Sequence, residues 1–270
     1  MSLFDKIRGK CCICGAVRCC APYLEQVIAN ILTIGQQFDD FSVVFSYDVS
    51  SDESLQILEK YASKYRNIVL HIETEPQTSY RVYNIARARN RCLDIIREKY
   101  SNYEYFIMID CDNVCEKMTD IAVFRKYFDS NYLEQWDSLS FITKPYYDTW
   151  ALSKYPYVFS NMHFANYHQT SEFIDDVIEK TPKGDLIPCL SAFNGFAIYK
   201  TNKFINYYYD YKPRLDLIPK YLIKKQINIC GPIYLQGKAK MIDCEHRSFH
   251  LMAINDGARI RIANDVLFNL

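Results

Sequence analysis

Residues 103–114 read YEYFIMIDCDNV, and their reading decides the fold. A short apolar run, Tyr105–Ile109, passes without a break into Asp110-Cys111-Asp112. Its length and its aromatic and β-branched content read as a buried strand. In open α/β sheets, ligands collect beyond the carboxyl ends of the strands, and that is where the two carboxylates stand. Two carboxylates one residue apart can share one hard divalent cation, which in turn can hold a diphosphate. The competing structural reading is a turn capped at Asp112-Asn113, with Asp110 simply solvated.

Upstream of this strand the pattern alternates between short apolar runs and amphipathic stretches. CCICGAV (11–17) has the length of a buried strand. After the break at Ala21-Pro22, YLEQVIANILTIGQQF places Leu24, Val27, Ile28, Ile31 and Leu32 at helical spacing. FSVVFSY (41–47) reads as a strand. SSDESLQILEKYASKY reads as a helix capped at Ser51, with acidic residues in its first turn. NIVLHIE (67–73) is a third strand and RVYNIARARNRCLDIIREKY (81–100) a long helix. A β-α-β-α-β-α-β order predicts an α/β fold with a mostly parallel sheet covered by helices on both faces. The second half is less regular, with aromatic loops, an apolar patch LSAFNGFAIY (190–199) and a helix-like tail. With no repeat and no Gly/Ser linker, one domain is expected over residues 1–270.

The 32 lysines and arginines balance 32 aspartates and glutamates, which gives no bulk attraction to nucleic acid or anionic lipid. No run approaches the length of a membrane-spanning helix, and MSLFDKIRGK lacks the apolar stretch of a signal peptide. Eleven cysteines, an odd number, are read as reduced thiols in a reducing, cytoplasmic setting. Five of them crowd into CCICGAVRCC (11–20), where Cys11 and Cys14 have C-x-x-C spacing. A zinc or redox site competes there with core filling. Cys19-Cys20 is a poor second ligand pair because adjacent side chains rarely converge on one ion, so the cluster reads as the interior of strand one.

Three further stretches agree with a nucleotide-diphosphate site. Asp48, after the second strand, is placed to accept from a ribose or base edge, or to serve the turn. The 81–100 helix carries Arg81, Arg87, Asn90 and Arg91, with Arg87 and Arg91 one turn apart, and guanidinium groups suit diphosphates. DCEHRSFH (243–250) packs two acids and two histidines together. One imidazole can complete a metal sphere and one carboxylate can act as general base. His246 is preferred over His250 as the metal ligand, because it adjoins Glu245 in an expected loop while SFHLMAI opens an apolar helix.

The succession VRCCAPYLEQVIANI, DVSSDESLQIL, ARARNRCL, FIMIDCDN, YYDTWAL, FNGFAIY and CEHRSFH resembles the GT-A nucleotide-diphospho-sugar glycosyltransferases. Within them it is most similar to the fungal capsule-associated mannosyltransferases and the glycosyltransferases of large DNA viruses. The resemblance implies a GT-A sheet with a nucleotide-sugar half, 1–115, and an acceptor half, 116–270. It implies Asp112 as a direct Mn²⁺ (or Mg²⁺) ligand, with Asp110 reaching the metal or the ribose and Cys111 beside them. It further implies Arg18, Arg87 and Asn90 near the nucleotide, Asp148 and Trp150 at the sugar pocket, and Asn194 and Gly195 on the acceptor side. Glu245 falls at the base position of an inverting enzyme and His246 at a C-terminal metal position. Relatives often show E-N-D-S-S-D where this chain has Tyr47-Asp48-Val49-Ser50-Ser51-Asp52, so the base contact comes from Asp48 or is lost.

The expectation is therefore a metal-dependent glycosyltransferase taking a UDP- or GDP-linked sugar to a glycan or glycoconjugate hydroxyl. No nucleic-acid partner is expected, and a homo-oligomer is compatible. If the reaction inverts, Glu245 or Asp243 takes the acceptor proton; a retaining reaction needs no such base. The rivals are a sugar nucleotidyltransferase, against which GAVRCCAPYL offers only one glycine and one arginine, and a non-catalytic carbohydrate-binding relative.

Overall fold

The computed structural model describes residues 6–164, 168–235 and 242–269; the opening MSLFD lies outside them. The strands are β1 (Ile7–Val17), β2 (Phe38–Tyr47), β3 (Ile68–Ile72), β4 (Tyr105–Asp110), β5 (Ser138–Ile142), β6 (Leu186–Cys189), β7 (Phe196–Lys200) and β8 (Ile260–Val266). The helices are α1 (Ala21–Gly35), α2 (Ser54–Lys64), α3 (Arg81–Lys99), α4 (Ile121–Lys126), α5 (Ser130–Leu133), α6 (His168–Lys180), α7 (Thr201–Phe204), α8 (Lys220–Cys230) and α9 (Glu245–Asn255). The fold is α/β, with mixed, mostly parallel strands flanked by helices.

The chain divides into two compact units. The first comprises residues 1–135, 195–206 and 267–270; the second comprises 136–194 and 207–266. In the first, the strand order is β3-β2-β1-β4-β7. The first four are parallel and β7 runs antiparallel to β4. Helices α1 and α3 pack on β1 and β2, and α2 packs on β3. In the second, the order is β5-β8-β6, with β8 parallel to β5 and antiparallel to β6.

Local chemistry explains the elements. β1 is buried from Cys11 to Gly15, and Cys11, Cys12 and Cys14 have no exposed surface. Their small, soft side chains fill the strand interior, and burial pushes the thiols of Cys11 and Cys14 well above their ordinary value. α1 starts at Ala21 and takes in Pro22, a position where the missing amide costs no helical bond. Its buried stripe is Leu24, Val27, Ile28, Ile31 and Ile34, so Ile34 fills the place expected of Leu32.

The expected Ser51 cap of α2 is replaced. The helix begins at Ser54, whose amide and hydroxyl both donate to Asp52 Oδ1 at 3.1 and 2.6 Å. The patch LSAFNGFAIY becomes a turn followed by β7, with Phe106 of β4 stacked on its register partner Tyr199 at 4.8 Å. The tail is helix and then strand. β8 is buried over most of its length although it carries Arg261, Asn264 and Asp265, polar residues that disguise it as non-strand. No described helix is long and apolar enough to cross a membrane.

Candidate functional site

In the first unit the chain leaves β1, steps to β2 and β3 on one side, and then returns to place β4 on the other side of β1. Strand order therefore reverses at β1. Parallel strands that diverge in this way open a crevice at their carboxyl ends. The register brings those ends level: Ala16 faces Asp110, Val17 faces Tyr47, and Tyr47 faces Ile72. The loops that follow are tied to one another. The Asp48 amide donates to Val17 O and the Glu73 amide to Tyr47 O, each at 2.9 Å. The amides of Cys19 and Ala21 donate to Ser50 Oγ and Asp52 Oδ2, both at 2.9 Å.

Asp110, Cys111 and Asp112 stand at this rim. Successive side chains of an extended segment point to opposite faces, and Asp112 keeps extended backbone at φ −118°, ψ −165°. The two carboxylates therefore share one face and Cys111 turns to the other, where it is buried. A Cβ on Gly15 would meet the Cys111 sulfur at 2.6 Å, so β1 must carry glycine there. Any part Cys111 plays toward a ligand falls to its backbone. Asp112 Oδ1 accepts from the Val114 amide at 3.0 Å and caps the short 3-10 turn Asn113–Cys115. The capping and ligand readings of Asp112 are compatible, because that bond engages one oxygen. Asp110 donates its amide to Gly195 O at 2.8 Å, and its Oδ1 accepts from Arg89 Nη2 at 2.8 Å.

Arg89 is the residue sequence reasoning missed. It lies on the buried stripe of α3 with Val82, Ala86, Leu93 and Ile96. The signal for it is an arginine that interrupts an apolar stripe at helical spacing, beside the more exposed Arg87 and Arg91. Arg87 is engaged elsewhere: its guanidinium lies 3.5 Å from Glu73 and 3.4 Å from Glu75, and donates to Pro76 O at 3.1 Å. It braces the loop between β3 and α3. Burial pushes Glu73 up, but the amides of Glu75 and Thr74 and the charge of Arg87 outweigh it and hold the carboxyl below its ordinary value. Arg81 is exposed at the start of α3, and Asn90 and Arg91 are half-buried. Arg18 is exposed just past β1, while Asp48 is buried with Oδ1 accepting the Val49 amide at 2.9 Å. Asp48 thus performs the turn role weighed for it.

The second unit holds the remaining residues, except Gly195, which belongs to the first. Asn194 is buried, with φ +57°. Its Oδ1 accepts from the amides of Tyr147 and Asp148 at 3.2 and 3.0 Å, and its Nδ2 donates to Phe141 O at 2.8 Å. Asp148 Oδ1 accepts from the Ala151 amide at 3.0 Å. Glu245 and His246 do not form a loop as expected; they open α9, and both are buried. The Glu245 carboxylate lies 3.8 Å from His246 Nε2, and the His246 ring stacks on Phe193 at 3.8 Å. His250 Nδ1 is hydrogen-bonded to Ser191 Oγ at 2.9 Å. Asp243 is committed internally: Oδ1 accepts from the Cys244 amide at 2.7 Å and Oδ2 from Arg247 Nε at 2.9 Å. Arg247, the second residue missed, is buried with hydrogen bonds to Leu152 O, Ser153 Oγ and Trp150 O.

Among the described residues, no three or more His, Cys, Asp or Glu side chains group so as to hold a metal ion. The Asp110 and Asp112 carboxylates nevertheless suit a hard divalent cation, since they offer oxygen donors from one face of one segment. A sphere built on them draws its other ligands from substrate oxygens or water.

The Glycosyl transferase family 2 model matches residues 13–193. No curated protein matches the chain significantly. Among solved structures, GalNAc-T7 with UDP, GalNAc and Mn2+ is 9% identical; the match covers 95% of this chain and 42% of that one, with a TM-score of 0.51. TarS 1-349 of S. aureus in complex with UDP-GlcNAc is 15% identical over 96% of this chain and 57% of that one, with a TM-score of 0.49. The mannosyltransferase PcManGT from Pyrobaculum calidifontis, in complex with GDP-Man and Mn2+, is 15% identical over 76% and 49%, with a TM-score of 0.40. The chain spans about half the length of these proteins. The family match runs from β1 through every element that builds the β1–β4 rim and covers more than half of the sequence, so the chain belongs to glycosyl transferase family 2.

Proposed function

We propose that the chain is a GT-A-type glycosyltransferase that moves a hexose from a UDP- or GDP-linked donor to a hydroxyl of a glycan or glycoconjugate, assisted by Mn²⁺ or Mg²⁺. The observation that carries this reading is the pair Asp110 and Asp112, set on one face at the carboxyl end of β4, where strand order reverses in a family 2 chain. Asp112 would hold the cation, and Asp110, steadied by Arg89, would share it or accept from the ribose. When bound, the cation supplies positive charge that stabilises the departing diphosphate. Arg18, exposed just past β1, is read as a contact of the nucleotide phosphates, together with Arg81 and Asn90 on α3.

On the acceptor side, Asp148 and Trp150 are read as sugar contacts. If the reaction inverts, Glu245 takes the acceptor proton, since Asp243 is already paired with Arg247. His246 is proposed as the companion of Glu245. GalNAc-T7, which shares the fold and was solved with UDP, GalNAc and Mn2+, agrees with this reading. The finer likeness to capsule-associated and viral enzymes rests on the Y-D-x-W-A-L, N-G-F and C-E-H segments, and a reducing, cytoplasmic setting suits eleven free thiols.

The test is titration of UDP, GDP, UDP-glucose, UDP-GlcNAc and GDP-mannose, with and without MnCl₂, by calorimetry and by release of nucleoside diphosphate. Metal-dependent binding with release of UDP or GDP is expected. Formation of pyrophosphate from a sugar 1-phosphate and a nucleoside triphosphate would assign a nucleotidyltransferase instead. Binding with no turnover across a panel of glycan acceptors would assign a non-catalytic relative.

A further inference from the structure

The loop 146–153 is gripped from both ends by two buried side chains that lie outside it. At its start, Asn194 accepts from the amides of Tyr147 and Asp148 while donating to Phe141 O at the end of β5 and to Thr143 Oγ1 at 3.2 Å. At its end, Arg247 donates to the carbonyls of Trp150 and Leu152 and to the Ser153 hydroxyl, and its Nε is held by Asp243. Asp148 Oδ1 closes the turn between them on the Ala151 amide. Arg247 and Asn194 are 1% and 4% exposed. A fully desolvated arginine spent on carbonyls of one loop fixes that loop's path, because each donor would otherwise lie unpaired in the interior.

Within this gripped loop two buried polar groups, the Tyr146 hydroxyl and the Trp150 indole N–H, have no hydrogen-bond partner among the described residues. Of the two residues only Trp150 keeps part of its surface exposed. Buried indole N–H groups normally find an acceptor. We propose that the Trp150 N–H is a donor held ready for a hexose hydroxyl, and that Asn194 and Arg247 are positioning residues that hold it in place without touching the sugar. This rests on the reading of the Asp148–Trp150 loop as part of the sugar site. It moves Asn194 from sugar contact to support, because both ends of its amide are already used.

The test follows the indole ¹⁵N–¹H resonances of the full chain. There are two tryptophans, and Trp136→Phe identifies the Trp150 signal. The probes are UDP and GDP alone, then UDP-glucose, UDP-GlcNAc and GDP-mannose with MnCl₂, then methyl α-mannoside and methyl β-glucoside as stand-ins for an acceptor. The expected result is a Trp150 shift with at least one sugar-bearing probe and none with UDP or GDP. A shift with nucleotide sugars assigns the donor ring; a shift with methyl glycosides assigns the acceptor.

Trp150→Phe keeps an aromatic face but removes the N–H together with the pyrrole ring that carries it. It should lower turnover at least tenfold while UDP affinity stays within twofold. Arg247→Lys and Asn194→Asp should displace or broaden the Trp150 resonance in the free protein and lower turnover with the same unchanged UDP affinity. Methylguanidinium should restore part of the turnover of Arg247→Ala. Should Arg247→Lys fail to fold, Asn194→Asp and the wild-type titration still decide. If UDP or GDP binds but no sugar probe moves Trp150, this inference falls and the glycosyltransferase reading stands. If no nucleotide binds at all, both fall.

Discussion

The Arg89 guanidinium lies 2.8 Å from Asp110 Oδ1, an ion pair joining the buried stripe of α3 to the carboxyl end of β4. One partner is almost wholly buried, while the other retains 24% of its side-chain exposure. A charge in that position is oriented by its partner and still able to meet a ligand.

Arg89→Met keeps most of the volume and removes the charge. Breaking a fully buried pair costs about 3–5 kcal/mol; because Asp110 is partly hydrated, a loss of about 2–3 kcal/mol is expected. Adding Asp110→Asn should recover part of it. Urea midpoints of the two single variants and the double variant measure this coupling, and strictly additive losses would show that the pair contributes nothing.

Asp112→Asn and Asp112→Ala separate capping from ligand binding. Asparagine keeps an oxygen for the Val114 amide, so its stability should stay within about 0.5 kcal/mol of the native chain, whereas alanine loses the cap at about 1 kcal/mol. Both should lose Mn²⁺-dependent binding of UDP or GDP by calorimetry. Native affinity in Asp112→Asn would remove this side chain from the metal reading.

Gly195 has φ +85°, and a Cβ there would stand 2.6 Å from Val114 Cγ1. Gly195→Ala should therefore cost about 1–2 kcal/mol in backbone strain and about 1–3 kcal/mol in overpacking. Val114→Ala in the same chain should return the second part only. Thermal or urea unfolding of the pair tells the two contributions apart.

Glu73 gives a pH signature. Its carboxyl is held below the ordinary value, so its stabilisation is complete above the unfolded glutamate pKa of about 4.3 and fades as pH falls through the lower folded value. Arg87→Met should raise the Glu73 carboxyl titration seen by ¹³C NMR toward the unfolded value, lower stability at neutral pH, and flatten the loss of stability with acid near about pH 4. An unchanged titration would mean that the Thr74 and Glu75 amides and the charge of Arg91 set it without Arg87.

The alternating elements of residues 7–110 could be read from sequence because each carries its own signal: apolar runs for strands buried on both faces, 3.6-residue stripes for the helices between them. Asp110 and Asp112 could be read because they terminate such a run. What escaped depends on contacts far apart in sequence. Arg89 and Arg247 look like surface charges until the fold supplies Asp110, Asp243 and the Trp150 carbonyl as partners. Glu245 and His246 passed for a loop because their polarity hides a helix start that is buried on every side. β7 is a five-residue strand directly after a turn, and β8 interrupts its apolar residues with Arg261, Asn264 and Asp265, so neither displays a strand pattern alone.

The first unit is built from three separated stretches of chain, 1–135, 195–206 and 267–270. β4 gains its neighbour β7 only once residues 196–200 exist, and the Asp120 amide finds Leu267 O only near the far end. On a ribosome, the edge of β4 must therefore wait, exposed, while the whole intervening segment is made. An unpaired apolar edge is an invitation to aggregate. Residues 1–135 expressed alone should be prone to aggregation for that reason, and nascent chains should need a chaperone's cover until residues 195–206 and 267–270 emerge.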